Sequence, residues 1–151
     1  MNSLWDKYRK ESKQTIVIIG VLILSAKLCR ADGHFSEIEK EEILKIVPHE
    51  HKQKRTLLRI LDEGEKDQLP IQDDAIRIKK LIGEDHRNFL EFIIAVLYRL
   101  AQVDKVVSEN EIKDIQIVAL EFGIIKKPFI DQIREIALKY KGKLRIDKYN
   151  G

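Results

Sequence analysis

Apolar residues recur along the chain at three- and four-residue spacings, so the pattern is helical nearly throughout. Leu4 to Ser12 reads as a short amphipathic helix carrying Trp5 and Tyr8. Gln14 to Ala31 is apolar almost all round, which predicts a long central helix. Ser36 opens the next helix, with Pro48 just after it. Glu50 to about Glu63 carries Leu57, Leu58, Ile60 and Leu61 as its stripe, and "EGEKDQLP" (Glu63–Pro70) then reads as a loop. Ile71 to Ile82 is a helix stopped by Gly83. Asp85 reads as the cap of a second long apolar helix, Phe89 to Val103. Ser108 opens a helix ending near Phe122, before Gly123. Pro128 starts a last helix reaching about Tyr140. The expectation is an all-α bundle of about seven or eight helices over residues 1–140, with a basic, flexible tail or linker at 141–151.

The pattern repeats. Asp32 and Asp104 are 104 − 32 = 72 residues apart, and that offset lays "LCRADGHFSEIE" (Leu28–Glu39) over "LAQVDKVVSENE" (Leu100–Glu111), with five of twelve positions identical. Ile43 falls on Ile115, and the Ile16–Leu24 run falls on Asn88–Val96. The halves, about 14–48 and 86–122, each read as a long apolar helix, a short Asp-containing loop and a helix starting at Ser. Two such hairpins pack most simply with pseudo-two-fold symmetry, burying their apolar helices.

The repeat settles how to read "TIVIIGVLIL" (Thr15–Leu24). With basic residues before it, the run imitates a signal peptide. It falls short of the roughly 20 apolar residues that span a bilayer. A matching run deep inside the chain makes it a core helix.

Two readings of the joint are open. "SEIE" (Ser36–Glu39) and "SENE" (Ser108–Glu111) are capping boxes, in which the Ser hydroxyl and the Glu carboxylate satisfy each other's backbone N–H. Gly33 suits a left-handed turn, and Asp32 and Asp104 can hydrogen-bond loop amides. Capping explains the motif without a ligand. The other reading is a cation site. A loop folding back between Asp32 and Glu39 brings two carboxylates toward one hard cation such as Ca²⁺ or Mg²⁺. His34 would pull the first copy toward a transition metal. The second copy, Asp104 and Glu111, is poorer, because Lys105 and Val106 stand where Gly33 and His34 do. The spacing is not that of an EF-hand, since Ile43 occupies the twelfth position after Asp32 as first.

Composition narrows the classes. At 151 residues, 44% hydrophobic and 35% charged, the chain fits one charge-rich soluble domain. The net charge of +3 is interleaved with acidic residues, which gives no case for nucleic acid. Charge is nevertheless uneven: residues 1–31 carry six basic and two acidic groups, 32–42 one basic and five acidic, and 139–151 five basic and one acidic. Cys29, the single cysteine, excludes an internal disulfide and fits a reducing, cytoplasmic compartment. No Gly-rich phosphate loop, CxxC pair, G-x-S-x-G or HExxH is present. His49 and His51 point about 200° apart on a helix and cannot chelate one ion from there. The aromatics Trp5 and Tyr8 beside Lys7, Arg9 and Lys10 fit core packing or a peripheral membrane contact.

"AKLCRADGHFSEIEKEEI", with its echo "YRLAQVDKVVSENEIKDI", resembles the TerB-like domain over about residues 14–140. That domain occurs in tellurite-resistance TerB proteins and in the N-terminal half of DjlA-type DnaJ co-chaperones. The resemblance implies an all-helical fold of two hairpins. It implies a non-enzymatic interaction module in stress or chaperone assemblies, docking protein partners at the inner face of a membrane. It carries the acidic positions onto Asp32, Glu39, Asp104 and Glu111, with a divalent cation as the implied cofactor. The chain departs from DjlA-type proteins in having neither a spanning-length first helix nor a His-Pro-Asp triplet. The basic tail would suit a linker to a further domain, so both a piece of a longer co-chaperone and a stand-alone protein are open. Two other functions compete: a metal-dependent hydrolase using the same carboxylates, and a plain scaffold whose Asp and Ser residues only cap helices.

Overall fold

The computed structural model describes residues 4–30, 35–47, 49–103, 107–127 and 130–142. Among these the chain forms seven α-helices: α1 (Lys13–Arg30), α2 (Glu37–Ile46), α3 (Lys54–Lys66), α4 (Ile71–Ile82), α5 (Arg87–Gln102), α6 (Glu109–Glu121) and α7 (Ile130–Lys139). Short 3-10 turns at Leu4–Lys7, His51–Gln53 and Glu84–His86 join some of them. No strand occurs among the described residues. No helix there is long and apolar enough to cross a membrane.

The two apolar helices are the axis of the bundle. On α1 every residue from Val21 to Leu24 is 0% exposed, and on α5 so is every residue from Phe92 to Leu97. Burying each of the larger side chains among them contributes about 1.5–3 kcal/mol, far beyond what helix propensity supplies. Helix α1 packs against α3, α4 and α5; α5 packs against α1, α6 and α7; α2 leans on both. Ser12 fixes where α1 begins, since its hydroxyl accepts from the Thr15 amide at 3.2 Å.

The 72-residue offset recurs in the helix bounds. It carries Arg30, the end of α1, onto Gln102, the end of α5, and Glu37, the start of α2, onto Glu109, the start of α6. It also carries buried Leu61 of α3 onto buried Ile133 of α7.

Several boundaries differ from the sequence reading. Leu4–Ser12 is a 3-10 turn, Leu4–Lys7, followed by further turns rather than a helix, because Ser12 is spent on starting α1. Helix α3 runs through Gly64 to Lys66, so "EGEK" is not loop. Gly64 is there for close packing: a Cβ at that position would lie 3.1 Å from the Ile23 Cα. Leu58 leaves the stripe and is 37% exposed. Asp85 does not cap α5; it sits within a 3-10 turn, and His86 precedes the helix with no side-chain cap bond. Gly83 and Gly123 do stop α4 and α6, at φ of 89° and 75°.

Candidate functional site

Both Ser-x-x-Glu units fold as capping boxes. The Ser36 hydroxyl accepts from the Glu39 amide at 3.1 Å, and the Glu39 carboxylate accepts from the Ser36 amide at 3.0 Å and its hydroxyl at 2.9 Å. In the second copy the Glu111 amide donates to the Ser108 hydroxyl and the Ser108 amide to the Glu111 carboxylate, both at 3.1 Å. The cap torsions coincide, with φ −73° and ψ 159° at Ser36 against φ −77° and ψ 161° at Ser108. Glu39 and Glu111 are only 1% and 0% exposed. One carboxylate oxygen of each is thus committed to the backbone of its own helix start. The other sequence-derived ligands, Asp32, His34 and Asp104, lie outside the described residues, as do Gly33, Lys105 and Val106. No group of three or more His, Cys, Asp or Glu able to hold a metal occurs among the described residues. His49 instead meets the Val47 carbonyl at 2.9 Å, and His86 stacks on Phe89.

A concavity of about 1130 Å³ lies between α2, α5 and α7. Helix α5 supplies Ala95, Tyr98, Arg99 and Gln102, spaced three, four and seven residues from the first. Helix α7 and the turn after it supply Arg134, Ala137, Leu138 and Lys141 at the same spacings. Helix α2 supplies Glu42, Lys45 and Ile46. Such spacings put each set on one helix face, so three helical stripes converge on an open groove. Its floor is apolar or small-residue; Leu138, 67% exposed, stands in it unburied. Its rim is cationic. The Arg99 Nε meets Glu42 at 3.3 Å, the Arg134 Nε donates to the Tyr98 hydroxyl at 3.2 Å, and Lys45 and Lys141 form no ion pair among the described residues.

A second polar assembly is centred on the buried side chains of Lys27 and Asp74. The Lys27 Nζ lies 2.6 Å from Asp67 and 2.5 Å from Asp74, and donates to the Leu69 carbonyl at 2.7 Å. The Trp5 indole N–H donates to Asp74 at 2.9 Å, tying the N-terminal turn to α4. Arg30, one turn on, donates to the carbonyls of Glu65 and Asp67 at 2.7 and 2.6 Å, and so closes the C-terminal end of α3. Burial pushes the Asp74 carboxyl above its ordinary pKa, against the pull of the Lys27 and Trp5 hydrogen bonds. At the other end of the bundle burial also acts on Glu91, but Lys139 and Arg87 outweigh it and hold its pKa below the ordinary value. Both assemblies join distant elements and hold the bundle together.

Sequence reasoning missed the groove and the Lys27 network. The signal for the network was a lone lysine within an otherwise apolar helix, which has to find buried partners. The groove left no local signal, since its walls come from three separate helices.

Among protein-family models, the one described as tellurite resistance protein TerB matches residues 19–134. No curated protein and no solved structure matches the chain.

Proposed function

The chain belongs to the TerB family, and on that premise we propose that it is a non-enzymatic helical binding module that docks a protein partner in a tellurite-resistance, stress or co-chaperone assembly. The observation that carries this reading is the α2–α5–α7 groove. Three faces with three- and four-residue spacing, extended to seven on the α5 and α7 faces, surround an apolar floor and form the kind of surface that a partner helix occupies. A cytoplasmic setting fits the single buried thiol of Cys29. The test places a photo-crosslinking amino acid at Leu138, in the groove, or at Ile76 on α4, 40% exposed and outside it. The reading expects a discrete protein adduct in cells from position 138 and none from 76. It also expects the adduct to disappear when Lys45 and Lys141 become Glu. Equal labelling from both positions, or none from 138, contradicts it.

A second reading keeps a divalent cation at the α1–α2 joint, held by Asp32, His34 and Glu39, with Asp104 and Glu111 as its weaker counterpart. It is favoured by the nearly complete burial of Glu39 and Glu111, three residues into their helices. A carboxylate excluded from water needs strong electrostatic compensation. Calorimetric titration with Ca²⁺, Mg²⁺, Mn²⁺ and Zn²⁺ tests it. Ion-specific heat that disappears in Asp32→Ala supports the site; identical traces for the two proteins up to millimolar ion remove it.

A further inference from the structure

We infer that the occupant of the α2–α5–α7 groove is an acidic amphipathic helix of a partner protein, seated with its apolar stripe on Ala137 and Leu138 and its carboxylates against the cationic rim. The inference rests on the docking reading of the same groove and adds the chemistry of what docks. Four cations, Lys45, Arg99, Arg134 and Lys141, line the groove against one carboxylate, Glu42, while Arg134 also pairs with Asp131, which lies outside the lining, at 3.2 Å. They are distributed over α2, α5 and the two ends of the α7 stripe, so the positive charge surrounds the groove instead of marking one point in it. From Arg134 to Lys141 the wall is seven residues long, about 10 Å, or two helical turns. The small side chain of Ala137 lets a helix approach closely, and Leu138 presents apolar surface with nothing on it among the described residues.

The rim chooses among occupants. The chain's own last residues, 143–151, carry Lys143, Arg145 and Lys148 against Asp147, so their net charge has the rim's own sign. A partner with carboxylates flanking an apolar stripe is complementary in both charge and shape. Such a rim governs encounter rate and selectivity, while the apolar floor governs how long the complex lasts. Arg99 is already half-engaged by Glu42, 3.3 Å away, so an incoming carboxylate would replace Glu42 at that guanidinium.

Two synthetic helical probes test this on the full chain, sharing one leucine stripe and flanked by glutamates in one and lysines in the other. Methyl NMR and fluorescence anisotropy read the binding. The glutamate probe is expected to shift Ala137 and Leu138 and to bind at least about tenfold tighter than the lysine probe at low salt, with the preference falling as salt rises. Lys45→Glu with Lys141→Glu, both exposed and outside any ion pair among the described residues, should erase the preference without changing the melting temperature. Equal binding of both probes in the groove overturns the acidic-helix inference and leaves the docking reading standing. Absence of groove shifts with either probe overturns both. Anionic vesicles that shift the groove methyls where neither probe does would assign the rim to a lipid surface and overturn the inference. A second copy seated in the groove, seen as concentration-dependent groove shifts without any probe, would overturn it as well.

Discussion

Lys27 and Asp74 meet inside the bundle with Nζ and Oδ2 2.5 Å apart, and each side chain is 1% exposed. The pair joins the axis helix α1 to the first turn of α4, and Trp5 closes it from the N-terminal side. A buried pair of this kind is costly to break on one side only, because the remaining charge has no water to turn to. Lys27→Met should therefore cost about 3–5 kcal/mol. Replacing both partners, Lys27→Met with Asp74→Leu, should recover most of that loss. Urea unfolding of the three proteins checks it, and a double variant as unstable as the single would contradict the pairing.

The two buried carboxylates should give opposite pH dependences. Asp74 binds its proton more tightly folded than unfolded, so its contribution to stability is present below the ordinary carboxylate pKa and is lost as pH rises through the raised value. Glu91 binds its proton less tightly when folded, so its contribution is present above the ordinary range and is lost as pH falls through the lowered value. Measured against Asp74→Asn, wild-type stability should fall with rising pH across the acid range. Measured against Glu91→Gln, it should rise. Unfolding free energies between about pH 3 and 7, bracketing the ordinary carboxylate range, show both slopes.

Gly64 and Gly20 should respond differently to alanine. At Gly64 the new Cβ meets Ile23 backbone, its Cα at 3.1 Å and its carbonyl at 3.3 Å, and α3 has to move off α1. A loss of about 1–3 kcal/mol is expected there. At Gly20 the nearest atom is the end of the Ile78 side chain, 3.2 Å away, which can turn aside. Gly20→Ala should cost clearly less, with the gain in helix propensity offsetting part of it. Thermal unfolding of the two variants is the check.

The two capping boxes should be energetically alike. Ser36→Ala and Ser108→Ala should each cost about 1 kcal/mol, because both remove the same bond to an N3 amide in the same backbone conformation. Each hydroxyl accepts from an amide of its own helix, α2 in one copy and α6 in the other, so the double variant should show the sum.

These comparisons show what the chain makes legible. The caps at Ser36 and Ser108, the bounds of α4 and the stops at Gly83 and Gly123 are local events, set by residues within one turn, and the sequence reading places them correctly. Gly64 was misread for the opposite reason. It looks like a helix breaker until Ile23, 41 positions earlier, shows why a Cβ has no room. Asp85 looks like a cap, but the chain spends it in a 3-10 turn before α5. Trp5 and Asp74 are 69 residues apart, and nothing short of the packed fold brings an indole N–H to that carboxylate. The groove is invisible for the same reason. Arg99 and Arg134 read as ordinary exposed charges on their own helices, and only the packing of α7 on α5 makes them two sides of one surface.

This TerB-family chain is proposed to work through the α2–α5–α7 groove. Tellurite survival measures that most directly, in cells whose own copy is deleted or replaced by Leu138→Asp or by Lys45→Glu with Lys141→Glu. The account predicts that both groove variants fold with unchanged melting temperatures and accumulate normally, yet survive tellurite no better than the deletion. Full survival of the groove variants where the deletion is sensitive would contradict it.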